Sequence, residues 1–293
     1  MALGNFDGVH LGHREVLRRA VEEGRRRSMK VVAATFCPHP RAVLGAGEPP
    51  KLLTPMGLRR EVLLRYGADE VVEITFDLEL SKKSPEEFVR EVLVGQVGAE
   101  VVVVGENFRF GHRASGDFED LRRLMRVAGG EAVAAEVRTL AGGAGISSTR
   151  IRTLVSEGRV EEAAGLLGRP YVLRGEVVVG DRRGRTIGFP TANVLPDAEA
   201  VVPARGVYAG FVIVGDEKFD ACTNVGVAPT FSRAESRVEA HLLDFEGDLY
   251  GRVVDVGFTR WIRGEKKFSG VGELRAQIQR DVDEARLISD RMT

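Results

Sequence analysis

Cysteine is nearly missing from the 293-residue sequence: Cys37 and Cys222 are the only two, far apart and with no metal-ligand spacing. That excludes a disulfide scaffold and fits reduced thiols in a cytoplasmic protein. No uninterrupted apolar run comes near the roughly 18–20 residues a bilayer crossing demands, so no membrane partner is expected. No basic leader precedes an apolar stretch at the N-terminus, which argues against secretion. An excess of one charge is missing too. With 42 basic and 43 acidic residues the net charge is −1, and nothing global favours a nucleic-acid partner. The Gly-Lys-Ser/Thr of a phosphate-binding P-loop and the GxGxxG dinucleotide fingerprint are both absent.

What is present is a globular composition, 43% apolar and 29% charged, with 35 glycines gathered largely in short polar turns. The first half alternates two patterns. Lys30–Phe36, Glu70–Ile74 and Glu100–Gly105 are short runs rich in β-branched residues, and Arg14–Arg27, Pro55–Tyr66, Pro85–Val97 and Asp117–Ala128 read as helices. This alternation predicts a mostly parallel sheet covered on both sides, with ligands beyond its strands' C-terminal ends. Ser147–Leu167 reads as one or two short helices. The texture changes near Gly168–Tyr171. Val172–Gly180, Gly206–Val214, Lys218–Val225, Arg237–Phe245 and Arg252–Phe258 then follow as strands, predicting an antiparallel sheet closed or nearly closed into a barrel. A last helix is expected after Ser269, read as its N-cap, with Leu274, Ile278, Val282 and Ala285 along one face. The expected domains are therefore residues 1–168 and 169–293.

Two stretches carry chemistry. Gly4–His13, GNFDGVHLGH, sits just before the first amphipathic helix. Glycines let backbone approach a ligand, and a helix N-terminus offers amides and a favourable dipole to phosphate. His10 and His13, three apart, can face one way and donate to phosphate oxygens as charge builds. A turn followed by a helix cap explains the same residues equally well. Ile146–Arg152, ISSTRIR, offers the hydroxyls of Ser147, Ser148 and Thr149 with the cations Arg150 and Arg152; capped helix with solvent-facing arginines is its plain alternative. The second stretch is Gly180–Asn193, GDRRGRTIGFPTAN. Thr191 and Asn193 suit a hard cation and phosphate oxygens. Gly184, Gly188, Arg182, Arg183 and Arg185 suit a phosphate-facing loop, although ordinary turn chemistry accounts for the glycines and Pro190 as readily. Glu239 shares a strand face with His241, Leu243 and Phe245, and is either an inward-pointing base or a surface glutamate.

HxGH after a Gly- and Asp-containing turn resembles the signature of the nucleotidyltransferase superfamily, and the longer GNFDGVHLGH resembles its flavin-adenylylating branch. TFCPHP at Thr35–Pro40, GENFRFG at Gly105–Gly111 and ISSTRIR resemble stretches of the bifunctional bacterial riboflavin kinase/FAD synthetase family. The second half resembles riboflavin kinases through GFPTAN, then GVYA at Gly206–Ala209, NVGVAPTF at Asn224–Phe231, EAHLLDF at Glu239–Phe245, DLYG at Asp248–Gly251 and EKKF at Glu265–Phe268.

The resemblance implies an α/β protein: a Rossmann-like nucleotidyltransferase domain followed by an antiparallel β-barrel kinase domain with a terminal helix. It implies riboflavin, ATP and FMN as substrates and Mg²⁺ as the metal. Catalytic roles fall on Glu239, His10, His13 and Arg150. Nucleotide binding falls on Gly4, Asn5, Phe6, Asp7, Gly8, Gly12, Ser147, Ser148, Thr149, Arg152, Gly180, Gly184, Gly188 and Thr191. Flavin binding falls on Asn107, Phe108 and Phe110, and the metal on Thr191 and Asn193. The chain departs from the family twice. Asn107 stands where the family usually has Asp, leaving less negative charge there. The family also carries most of a strand ahead of its GNFDG, whereas only Met1–Leu3 precede it here; the expectation is a start codon assigned too late. Nothing in the sequence sets an oligomeric state.

Overall fold

The computed structural model describes residues 1–45, 47–136, 145–180, 184, 187–227 and 236–291. The chain divides into two compact units, Met1–Ser148 and Thr149–Thr293.

In the first unit, β1 (Ala2–Leu3), β2 (Val32–Cys37), β3 (Glu70–Thr75), β4 (Val101–Gly105) and β5 (Glu131–Ala135) form one sheet in the order β3-β2-β1-β4-β5. Every pair is parallel. The order reverses between β1 and β4, and in open parallel sheets that reversal opens a ligand crevice at the C-terminal edge. The loops GNFDGVHLGH and GENFRFG leave those two neighbouring strands at that edge. β1 has only two residues, yet it lies at the sheet's centre, with Ala2 opposite both Ala33 and Val103. Val102, Val103 and Val104 are fully buried, as expected of strands covered on both faces.

Helix α1 (Leu11–Arg27) follows the first loop and buries Val16, Leu17 and Ala20. Helices α2 (Pro40–Leu44), α3 (Met56–Arg65), α4 (Pro85–Glu87, continuing as a π-helical stretch over Phe88–Gln96) and α5 (Phe118–Val127) complete the unit. Asp117 and Ser84 each open a helix with a reciprocal capping box, which satisfies amides that the first turn leaves unpaired.

The second unit begins with α6 (Ser148–Ser156, its first residue still in unit one) and α7 (Val160–Leu167). A closed antiparallel barrel follows: β6 (Tyr171–Val178), β7 (Ala192–Pro196), β8 (Gly206–Val214), β9 (Glu217–Val227), β10 (Ser236–Leu242) and β11 (Val253–Arg263), ordered β10-β7-β6-β11-β8-β9. Closure leaves no unpaired sheet edge. Strand β10 stops at Leu242 rather than reaching Phe245, because Asp244 takes a left-handed turn conformation with φ 57°. The terminal helix, α8 (Val271–Asp290), has Gly270 as its N-cap, not Ser269. The backbone N–H and hydroxyl of Ser269 instead donate to Glu273 at 2.9 and 2.8 Å. Val282, Ala285 and Ile288 bury α8 against Phe189, Val207, Ala209 and Cys222. A charge pair locks the same helix: Arg263, at the end of β11, donates through Nε and Nη2 to buried Asp281 at 2.9 and 2.6 Å.

Candidate active sites

The first site is built on the loop after β1. Phe6 and Val9 hold positive φ values of 48° and 42°, a costly conformation for bulky residues that persists only where surroundings enforce it. The enforcing contacts are visible. Asp7 is fully buried, and its Oδ1 accepts from Leu53 N at 2.9 Å and Thr54 N at 3.0 Å. The amide of Gly8 donates to Thr54 Oγ1 at 2.8 Å. Arg59, 2% exposed, donates to the carbonyls of Thr54 and Asn5 at 3.1 and 3.0 Å and lies 3.7 Å from the Asp7 carboxylate. Thr35, in the TFCPHP stretch, donates its hydroxyl to the same Asn5 carbonyl at 2.9 Å. Asp7 thus uses its carboxylate to shape the loop.

His10 is the N-cap of α1, and its Nδ1 accepts from His13 N at 3.2 Å. A neutral imidazole with Nδ1 so engaged carries its proton on Nε2, as a donor. The rings of His10 and His13 stack at 3.6 Å, and Phe6 meets His13 edge-on at 5.4 Å. Burial pushes the His10 imidazolium down to a pKa of about 4. Burial, then the neighbouring His10 and Arg59, push His13 well below the ordinary range. The Nδ1 of His13 is buried with no hydrogen-bond partner among the described residues. Two neutral imidazoles at a helix N-terminus, one with an unsatisfied nitrogen, are suited to phosphate oxygens.

Ser148 Oγ donates to the Asp7 carbonyl at 2.8 Å, which ties the start of ISSTRIR to the phosphate loop. Thr149, Arg150 and Arg152 lie on the first turns of α6 in the second unit, where Arg152 Nη1 is 3.4 Å from Thr149 Oγ1. In the GENFRFG loop the three flavin candidates differ. Asn107 is exposed. Phe108 is half-buried and stacks on Phe110 at 5.8 Å, and Phe110 itself belongs to the core beside Phe88. His39 caps α2, its Nδ1 accepting from Arg41 N at 3.2 Å.

The second site lies in the barrel. Antiparallel register sets Glu239 of β10 opposite Asn193 of β7 on one side and Asn224 of β9 on the other. Asn224 Nδ2 is 3.4 Å from Glu239 Oε2. Arg237, two residues earlier and so on the same face, lies 3.1 Å from Glu239 Oε1 and also holds Asn193 Oδ1. His241, next along that face, meets the Pro190 carbonyl at 2.7 Å; only an Nδ1–H can donate there, and it fixes the GFPTAN turn. These residues line a cavity of about 700 Å³, walled on its apolar side by Phe189 and by Leu274, Ile278 and Val282 of α8. A second cavity of about 620 Å³ runs past Val177, Phe245 and the DLYG turn. Thr191 and Asn193 line both. Both glycines of GDRRGR are sterically required: a Cβ at Gly180 would fall 2.3–2.5 Å from the Asn193 amide, and one at Gly184 would fall 2.3 Å from the Phe189 carbonyl oxygen. Gly184 and Gly188 are described, Gly184 within the larger cavity and Gly188 at φ 90°. Arg182, Arg183 and Arg185, and the APTF end of NVGVAPTF, lie outside the described residues.

Among the described residues no group of three or more His, Cys, Asp or Glu forms a metal site. The hydroxyl of Thr191, the amide oxygen of Asn193 and the Glu239 carboxylate are nonetheless hard oxygen donors sharing one cavity. That set fits a cation that takes its remaining ligands from phosphates. Two residues that hold these clusters together, Arg59 and Arg237, escape a reading of motifs. Arg59 did leave a signal, since it stands on the same helical stripe as Leu63 and one residue after Leu58.

A parallel sheet with phosphate-type loops at its reversal point, followed by a closed barrel with a carboxylate–amide cluster, defines a two-site nucleotide-using transferase. Residues 1–150 match the FAD synthetase family and residues 167–289 the riboflavin kinase family. The chain is 38% identical over 282 residues to the bifunctional riboflavin kinase/FMN adenylyltransferase of Escherichia coli strain K12, covering 96% of this chain and 90% of that protein. It is 37% identical to the protein of the same description from Bacillus subtilis strain 168, with coverage of 97% and 90%. A Streptococcus pneumoniae crystal structure described as a macrolide-efflux protein superposes with TM-score 0.88 at 33% identity, covering 97% of this chain and 93% of that one. No helix among the described residues here is long and apolar enough to cross a membrane. The chain belongs to the bifunctional riboflavin kinase/FMN adenylyltransferase family, and its two halves serve FMN and FAD synthesis.

Proposed function

We propose that the reactions run opposite to chain order. The barrel phosphorylates riboflavin with ATP to give FMN and ADP; the first half then adenylylates FMN with a second ATP to give FAD and pyrophosphate. The division of labour falls near residue 168, where Gly168 ends α7 in a left-handed conformation.

In the barrel, Thr191 and Asn193 form the wall shared by two cavities, and this observation carries the assignment. The larger cavity, with its apolar α8 wall and Glu239, suits a flavin ring and its ribityl chain. The smaller one suits ATP, whose phosphates would reach past the shared Thr191–Asn193 wall toward Gly184, which lines the larger cavity, and the neighbouring Gly180 and Gly188. Glu239 takes the proton of the terminal ribityl hydroxyl as its oxygen bonds to the γ-phosphorus, and the bond to the β-phosphate oxygen breaks. Mg²⁺, held by Thr191 and Asn193, would neutralise phosphate charge in this step.

In the first half the FMN phosphate is its own nucleophile. Its oxygen bonds to the α-phosphorus of ATP and pyrophosphate leaves. His10 and His13 donate to the transferred group without changing protonation state. Backbone from Gly4 to Gly8, with Gly12 at the helix start, cradles the triphosphate. Ser147, Ser148, Thr149, Arg150 and Arg152 supply further phosphate donors, as the family resemblance implies. Phe108 offers the flavin an aromatic face, with Asn107 beside it and Phe110 supporting it from the core.

The discriminating test is Glu239→Gln. FMN formation from riboflavin should fall about a hundredfold or more, while FAD formation from supplied FMN stays near wild type. Equal loss of both would refute the base assignment.

A further inference from the structure

In the barrel site Arg237 Nε and Nη2 both donate to Asn193 Oδ1, at 2.9 and 2.7 Å, and Nη2 reaches Glu239 Oε1 at 3.1 Å. An amide oxygen has two lone pairs, so this guanidinium engages the acceptor that a divalent cation would need. The arrangement is built rather than incidental. Asn193 is 8% exposed, register aligns β7 and β10 at Asn193 and Glu239, and Arg237 shares their face of the cavity.

We infer that Arg237 competes with the divalent cation for Asn193 Oδ1, keeping base and metal ligand together until a nucleotide's phosphates draw its guanidinium away. A phosphate is the better partner for an arginine fork, since both groups are charged and two N–H donors are satisfied at once. Nucleotide binding then exposes the amide oxygen and releases the Glu239 carboxylate in one movement. Metal capture in the barrel is thereby coupled to phosphate arrival. This inference rests on the assignment of Asn193 as a metal ligand.

The test uses the full chain and ADP, with and without Mg²⁺. Affinity is read from hydrogen-exchange protection of peptides spanning residues 189–196 and 236–242, which report on the barrel alone. The quantity is the factor by which Mg²⁺ tightens ADP. In Arg237→Gln this factor should fall about tenfold, the equivalent of one charge-assisted hydrogen bond, because Mg²⁺ then reaches Asn193 Oδ1 before any nucleotide arrives. In an Asn193→Ala background the same substitution should leave it unchanged, because Arg237 then has no amide oxygen to withhold. Each factor is a ratio within one variant, so a general loss of stability cancels. No fall in Arg237→Gln, or an equal fall in both backgrounds, would overturn the competition. An Asn193→Ala protein that keeps the wild-type factor would overturn the ligand assignment itself, and the inference with it.

Discussion

A methyl group placed at Gly180 should disable one reaction and spare the other. The backbone of Gly180 does not lie in the left-handed region, so alanine adds no conformational strain there. What it adds is volume. The new Cβ would lie 2.3 Å from Asn193 Nδ2, 2.4 Å from Cγ and 2.5 Å from Oδ1, against 3.4–4 Å for ordinary contact. All three atoms clash, so flipping the amide relieves nothing; the group must retreat by about 1 Å, dragging Arg237 with it. Overpacking of this kind costs about 1–3 kcal/mol of stability. A ligand displaced by about 1 Å costs roughly a hundredfold in rate. Gly180→Ala should therefore lower riboflavin phosphorylation by about two orders of magnitude, while adenylylation of supplied FMN stays within about twofold. The assay is chromatographic separation of FMN and FAD, run once from riboflavin and once from FMN. Unchanged phosphorylation would show that the position of Asn193 is immaterial, and the reading of the barrel site would fail.

Three further outcomes follow from the first unit and the helix lock. Arg59→Met removes the cation beside a fully buried carboxylate and should destabilise the first unit by about 3 kcal/mol, seen as faster amide exchange in β2 and β4 with barrel exchange unaltered. His10, with a folded pKa of about 4 against an ordinary 6.5, contributes stability that is intact above pH 6.5 and lost as pH falls from 6.5 toward 4. The unfolded chain takes up the proton first. By pH 5 the His10 share of the loss is about 2 kcal/mol, and His10→Asn should reduce the pH dependence by that share in the same exchange measurement, leaving the part that His13 adds; persistence of the full slope would assign it elsewhere. Asp281→Asn weakens the lock between α8 and Arg263 and should raise the KM for riboflavin more than that for ATP, since α8 walls only the larger cavity.

Much of this architecture can be read from periodicity. Strands β2, β3 and β4 are apolar β-branched runs, α1 shows its buried stripe, and α8 repeats Leu274, Ile278, Val282 and Ala285. Strand β7 does not announce itself, because Thr191–Asn193 follows Pro190 and reads as loop chemistry. Strand β5, Glu131–Ala135, is three-fifths alanine and lies at the sheet's edge, so its pattern is weak. The phosphate loop shows its glycines and histidines in the sequence but not its support. Asp7 looks like a ligand-facing acid, and only the fold reveals Leu53, Thr54 and Arg59 around it. Barrel register likewise brings Glu239, Asn193 and Asn224 abreast from positions up to 46 residues apart, a proximity no local pattern encodes.

The most direct measurement supplies riboflavin, ATP and Mg²⁺ to the intact chain and separates the flavins over time. Two working sites on one chain predict FMN rising first and FAD following at its expense, with ADP and pyrophosphate both accumulating. FMN that persists with no FAD, despite fresh ATP, would contradict the account, and so would riboflavin that remains unphosphorylated.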